Sequence, residues 1–122
     1  MAKNRILVAE DEQPLSHAMS LKLGSEGFDV TIANDGKEAI EELKGGSFDM
    51  LLLDLIMPGA DGFEVLEFLK KEGIRIPTIV LSNLGQSEDV ERAKSYGAKD
   101  YFVKADTPLS TIVAQVKEKL SS

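Results

Sequence analysis

The run Met50-Leu51-Leu52-Leu53 restricts the fold more than any other stretch of this chain. Four apolar side chains in succession, without polar alternation, suit a strand covered on both faces, as in sheets flanked by helices. Asp54 ends the run, and Pro58-Gly59 prevent continuation as strand or helix, so a short loop follows. A carboxylate at the C-terminal end of a central parallel strand stands where open α/β sheets place their ligands. Taken alone, Asp54 is more simply a turn former. The other strand ends decide between the two readings.

Arg5 to Ala9 predicts a first strand, closed by Glu10-Asp11-Glu12. Pro14 suits the first turn of a helix carrying Leu15, Ala18, Met19 and Leu23, with Gly24 and Gly27 near its end. Phe28 to Ile32 alternates and is β-branched, which predicts strand two. Asp35 with Glu38, and Asp61 with Glu64, read as capping pairs opening helices that bury Ala39, Ile40 and Leu43, and Phe63, Leu66 and Leu69. Ile74 to Leu81 predicts strand four, and Asp100 to Lys104 strand five. Between them Ser87 is expected to cap a helix running to about Tyr96, whose best anchors are Val90 and Ala93. So little apolar surface predicts a loosely held element. Thr107 is expected to cap, and Pro108 to open, a last helix with the stripe Leu109, Ile112, Val113, Val116 and Leu120.

Five strands alternating with five helices predict an α/β fold, a doubly wound parallel sheet in the order 2-1-3-4-5. Strands one and three then end in Glu10-Asp11 and Asp54 beside the switch point, strand four in Ser82 and strand five in Lys104. Three carboxylates so close raise one another's pKa values and ask for a positive charge. Oxygen ligands without histidine or cysteine select Mg2+ or a similar ion such as Mn2+. Glu12 is explained by a helix N-terminus alone. A carboxylate needs no general base, so phosphoryl transfer to Asp54 reduces to alignment and charge neutralisation, by the metal, the Lys104 ammonium and the Ser82 hydroxyl. A lysine or serine at one strand end is ordinarily just solvated or turn-forming. The four ends together have one economical explanation, an aspartyl-phosphate site.

The chain has 122 residues, 43% hydrophobic and 29% charged, which predicts one domain spanning 1–122 with no output domain. Without cysteine there is no thiol chemistry, and a net charge of −7 argues against direct nucleic-acid binding and for a cation or basic protein partner. No apolar run predicts a membrane span or a signal peptide, so a cytoplasmic location is expected. His17 and the methionines read as a solvated side chain and core filler.

The acidic pair after strand one, Asp54 followed by Met57-Pro58 and Asp61-Gly62, and the positions of Ser82, Tyr101 and Lys104 resemble the response regulator receiver domains of two-component signalling. The similarity to this CheY-like superfamily covers nearly the whole chain and implies its flavodoxin-like fold. It implies that Asp54 is phosphorylated, and that Asp11, Asp54 and the Ile56 carbonyl bind Mg2+ directly, with Glu10 acting through water. It further implies stabilisation of the phosphoryl group by Ser82 and Lys104, a switch of Ser82 and Tyr101, and tuning of phosphoryl lifetime at Ile56 and Leu84. A sensor histidine kinase or a histidine phosphotransfer domain would be the donor. A downstream protein would bind the face of helix four, strand five and helix five. Such a domain is a signalling receiver that catalyses only its own phosphorylation and slow dephosphorylation. Two positions depart from the family pattern: Glu10 replaces the more usual aspartate, and Ala105 the usual proline after the lysine. A cis bond before alanine costs ~2.5–4 kcal/mol, so Lys104–Ala105 is expected to be trans.

Two other readings compete, the first with the same architecture and the second on a related fold. A flavin-binding protein needs a phosphate-cradling loop after strand one, where this chain has Glu10-Asp11-Glu12. An aspartyl-phosphate hydrolase needs an Asp-x-Asp nucleophile and a cap insertion.

Overall fold

The computed structural model describes residues 3–120. The described elements run β1 (Arg5–Ala9), α1 (Gln13–Ser25), β2 (Asp29–Ala33), α2 (Gly36–Gly45), β3 (Met50–Leu53), α3 (Gly62–Glu72), β4 (Thr78–Ser82), α4 (Ser87–Ser95), β5 (Asp100–Val103), a 3-10 turn (Lys104–Asp106) and α5 (Leu109–Leu120). The five strands are parallel, in the order β2-β1-β3-β4-β5. This is the expected doubly wound sheet.

Strand alternation divides the apolar residues between two layers. Leu7, Ala9, Leu51, Leu53 and Val80 face α2, α3 and α4, packing with Ala39, Leu43, Phe63, Leu66 and Ala93. Ile6, Val8, Met50, Leu52, Ile79 and Leu81 face α1 and α5, packing with Met19, Leu23, Ile112, Val113 and Val116. The Met50–Leu53 run is at most 2% exposed along its whole length. Complete burial of such side chains stabilises by about 1.5–3 kcal/mol each, which is why the central strand shows no polar alternation.

Both acidic capping pairs hold: Asp35 accepts the Glu38 N–H at 2.8 Å and Asp61 the Glu64 N–H at 3.0 Å. Several predicted boundaries move. β2 lies one residue later than expected. β4 begins only at Thr78, because Pro77 has no N–H for the ladder; its carbonyl instead accepts from Leu51 N–H. Lys104 leaves the strand for the 3-10 turn. Ser87 does not cap α4; it is the first helical residue, after Gln86. Thr107 does not cap α5 as expected either: its hydroxyl donates back to the Val103 carbonyl, and the Pro108 carbonyl accepts the first amides of the helix. Ser and Thr compete for backbone groups in several local geometries, so residue type alone does not fix the cap.

Only Ala93 of α4 is buried, and Val90 is half-buried, in line with the weak anchorage read from its sequence. The Arg92 guanidinium, 4.0 Å from the Phe63 ring centroid, and the Tyr96 hydroxyl donating to Glu67 add attachments to α3.

Candidate functional site

β1 and β3 are neighbours in the sheet, and the residue just after β3 is bonded to the last residue of β1. The Asp54 N–H donates to the Ala9 carbonyl at 3.0 Å. Glu10 and Asp54 therefore leave adjacent strands side by side, 2% and 4% exposed. Two glycines let the loop after β3 close down on this edge. A Cβ on Gly62 would lie 2.4 Å from the Asp54 carbonyl oxygen, and one on Gly36 1.9 Å from the Ala60 oxygen. With hydrogen in place of Cβ, α3 starts hard against the Asp54–Leu55 backbone and the Gly62 N–H reaches the Leu55 carbonyl. Met57 is buried while Ile56 is 53% exposed, so the loop is pinned by one side chain and presents the other.

Asp54 uses both carboxylate oxygens. Oδ1 accepts the Ile56 N–H at 3.1 Å, and Oδ2 accepts from Lys104 Nζ at 2.9 Å. The same ammonium lies 2.9 and 3.0 Å from the two Glu10 oxygens and 3.4 Å from Glu12. Its side chain is only 9% exposed. The longer side chain of Glu10 thus reaches Lys104 with both oxygens, one of which also accepts the Glu12 N–H. Asp11 forms no hydrogen bond or ion pair with Lys104 and is the most open of the three acids.

The charge count here is unequal. Burial alone would lower the Lys104 pKa, but bonds to Asp54 and Glu10 outweigh it and push it up, so the ammonium stays charged. The surplus falls on Glu10. Burial, joined by the Asp54 charge, pushes it from 4.5 up to about 7, against the Glu12 amide and Lys104, which pull it down. One cation is insufficient for this many acids. Glu10, Asp11 and Asp54 each offer an oxygen within 4.8 Å of the others, and an all-oxygen set of this kind fits Mg2+ or Mn2+.

Ser82, fully buried at the end of β4, accepts the Leu84 N–H through its hydroxyl oxygen at 3.3 Å. The Tyr101 hydroxyl donates to the Leu84 carbonyl. Burial raises the Tyr101 pKa, aided by the charges of Asp89 and Asp54, while the neighbouring Ser82 hydroxyl works the other way. Tyr101 is therefore docked on the loop between β4 and α4, with Ser82 as a neighbour. Leu84 is half-buried and packs against the α2–α4 layer. His17 is exposed, as expected. All peptide bonds among the described residues are trans, Lys104–Ala105 included.

Two participants escape a reading of strand ends. Glu12, assigned to a helix terminus, also faces Lys104. Asn83 bridges to the loop after β5, its Oδ1 accepting the Ala105 N–H at 3.0 Å. The legible signal was the pairing of an amide after Ser82 with a residue other than proline at 105, which leaves that N–H available.

Comparison with known proteins bears on the family and the fold. The family model for the response regulator receiver domain matches residues 6–117. The uncharacterized transcriptional regulatory protein YkoG of Bacillus subtilis is 36% identical over 104 residues, 85% of this chain and 46% of YkoG. The chain spans about half the length of the curated relatives it matches. The receiver domain of Francisella response regulator 1452 has a TM-score of 0.90 at 30% identity, covering 98% of this chain and 100% of that one. TrrA of Thermotoga maritima, solved in complex with Mg2+ and BeF, has a TM-score of 0.77 at 30% identity, covering 97% and 96%.

Proposed function

The chain belongs to the response regulator receiver family of two-component signalling, and from that premise we propose that Asp54 accepts a phosphoryl group in a Mg2+-dependent reaction. One observation carries the reading: a buried carboxylate with one oxygen on a backbone N–H and the other on a buried ammonium, beside two more acids. A structural ion pair would not place surplus acids around one lysine.

Asp11 and Asp54, with the Ile56 carbonyl, would hold the metal directly and Glu10 would act through water. When bound, the ion neutralises phosphoryl oxygens and the acid surplus. The rest of the work belongs to the chain. The Ile56 N–H fixes the rotation of the Asp54 carboxylate. Asp54 attacks phosphorus, and the bond from phosphorus to the imidazole nitrogen of a phosphohistidine donor breaks. Lys104 shifts from Asp54 Oδ2 towards a phosphoryl oxygen, and the Ser82 hydroxyl donates to another. The donor would be a sensor histidine kinase or a histidine phosphotransfer domain. Ile56, exposed at the loop, and Leu84, two residues past Ser82, would border the approach of water and set the phosphoryl lifetime.

Movement of Ser82 towards the phosphoryl group would disturb its bond with the Leu84 N–H and the Tyr101 hydroxyl seated on the Leu84 carbonyl. Helix α4, with one buried residue, has least to lose and would respond, altering the α4–β5–α5 face for a protein partner. A net charge of −7 supports a protein rather than DNA as the partner of this domain itself. The test is exposure to acetyl phosphate with and without chelator, followed by intact mass. One phosphoryl group should be added to the wild type with Mg2+ and none to Asp54→Asn; equal labelling of Asp54→Asn would refute the assignment.

A further inference from the structure

Ser82 and Lys104, the two phosphoryl-stabilising groups proposed above, stand at the ends of different strands. Irregular segments take over at both places: Asn83 to Gln86 after Ser82, and the 3-10 turn that Lys104 opens, Lys104–Asp106, after β5. Within β4–β5 the ladder fixes Ser82 against Val103, but Lys104 lies beyond the last ladder pair. Its backbone therefore needs another restraint if Nζ is to keep its place.

The side chain of Asn83 supplies one. Its Oδ1 accepts the Ala105 N–H at 3.0 Å, spanning 22 residues of sequence. Only the amide oxygen can take this bond, since the partner is a donor. The bond exists because position 105 is alanine; a proline there has no N–H. One further contact seats the same loop on β5, the Tyr101 hydroxyl on the Leu84 carbonyl. The Asn83 bond is the one that reaches past the strand, to the residue following Lys104.

We infer that Asn83 is a positioning residue for the phosphoryl site, its amide oxygen holding the Ala105 N–H so that Lys104 and Ser82 converge on one phosphoryl group. Asn83 touches neither metal nor phosphoryl group in this role. It acts by reducing the reorganisation the Lys104 loop undergoes when a tetrahedral anion arrives. The inference rests on the phosphoryl-acceptor reading of Asp54.

The experiment is a double-variant cycle read by beryllofluoride binding at fixed Mg2+, for wild type, Asn83→Ala, Ala105→Pro and the pair. Both side chains are exposed, so thermal melting should show all four folded. A single exposed hydrogen bond predicts about two- to tenfold weaker binding in Asn83→Ala. In the Ala105→Pro background, where the donor is gone, Asn83→Ala should change affinity by less than about 1.5-fold. Asn83→Asp, which keeps an acceptor at the same place, should retain more affinity than Asn83→Ala once salt screens its added charge. An Asn83→Ala affinity equal to wild type, or the same loss in both backgrounds, would overturn the inference while leaving Asp54 as acceptor. Absence of Mg2+-dependent beryllofluoride binding in the wild type would overturn the acceptor reading, and this inference with it.

Discussion

Replacing Lys104 with methionine removes a charge while keeping most of an apolar stem, so lost packing contributes little. The ammonium it removes lies 2.9 Å from both Glu10 and Asp54, with only 9% of its side chain exposed. Deleting one member of a buried ionic set leaves the others uncompensated, at about 3–5 kcal/mol. Glu12, with 57% of its side chain exposed, adds little. The lower end, about 3 kcal/mol, applies here because Glu10 can relieve the strain by taking a proton. For a domain of this size that is a melting temperature lower by about 10 °C in chelator. The pH dependence has a definite sign. The folded-state pKa of Glu10 is raised, from 4.5 to about 7, so its contribution to stability is present at low pH and lost as pH rises through about 7. Without Lys104 one of the influences holding that pKa down is gone, and the deficit should widen between pH 6 and pH 8. Mg2+ at about 100 times its Kd should return about 2.7 kcal/mol. Thermal melts of wild type and Lys104→Met in chelator at the two pH values, then with Mg2+, measure all of this. A variant melting within about 2 °C of wild type in chelator at pH 8 would refute the reasoning, because the acids would then not depend on the lysine.

Asp11→Asn removes an acid that Lys104 does not touch, so metal-free melting temperature should rise while the stabilisation given by Mg2+ shrinks; a lower melting temperature without metal would place the acid surplus elsewhere. Beryllofluoride should shift amide resonances from Ser82 to Lys104 far more than those of α2, and shifts confined to the acidic loops would count against a switch. Polar residues at the exposed Ile56 and half-buried Leu84 should speed dephosphorylation, since a tenfold change needs only about 1.4 kcal/mol. Ile56→Asn, Leu84→Glu and the double variant, timed after donor removal at fixed Mg2+, test this; decay no faster than wild type would exclude water gating by these side chains.

The central strand and the strand order were legible because the Met50–Leu53 run and the alternating helical stripes each admit few packings. The acidic caps at Asp35 and Asp61 were equally legible, since an acid three residues later marks them. What stayed hidden depended on contacts distant in sequence. Glu10 was legible as an acid beside Asp54, but not its contact with Lys104, 94 residues away, which its extra methylene lets both oxygens reach. Asn83 was legible only in combination with the non-proline residue at 105, whose N–H its side chain meets across 22 residues. Gly62 read as part of a motif, but its need is steric, set by the Asp54 carbonyl beneath it. The Ser87 and Thr107 caps were misread because hydroxyls near helix starts have several backbone partners within reach.

Acyl phosphates are reduced by borohydride, which converts a phosphorylated aspartate to homoserine and so records where phosphorus was bound. Phosphorylation by acetyl phosphate with Mg2+, reduction and peptide sequencing by mass spectrometry should find homoserine at position 54, and none when chelator is present. Homoserine at Asp11 or another aspartate, or its absence from every position of a protein that has gained the phosphoryl mass, would contradict Asp54 as the acceptor.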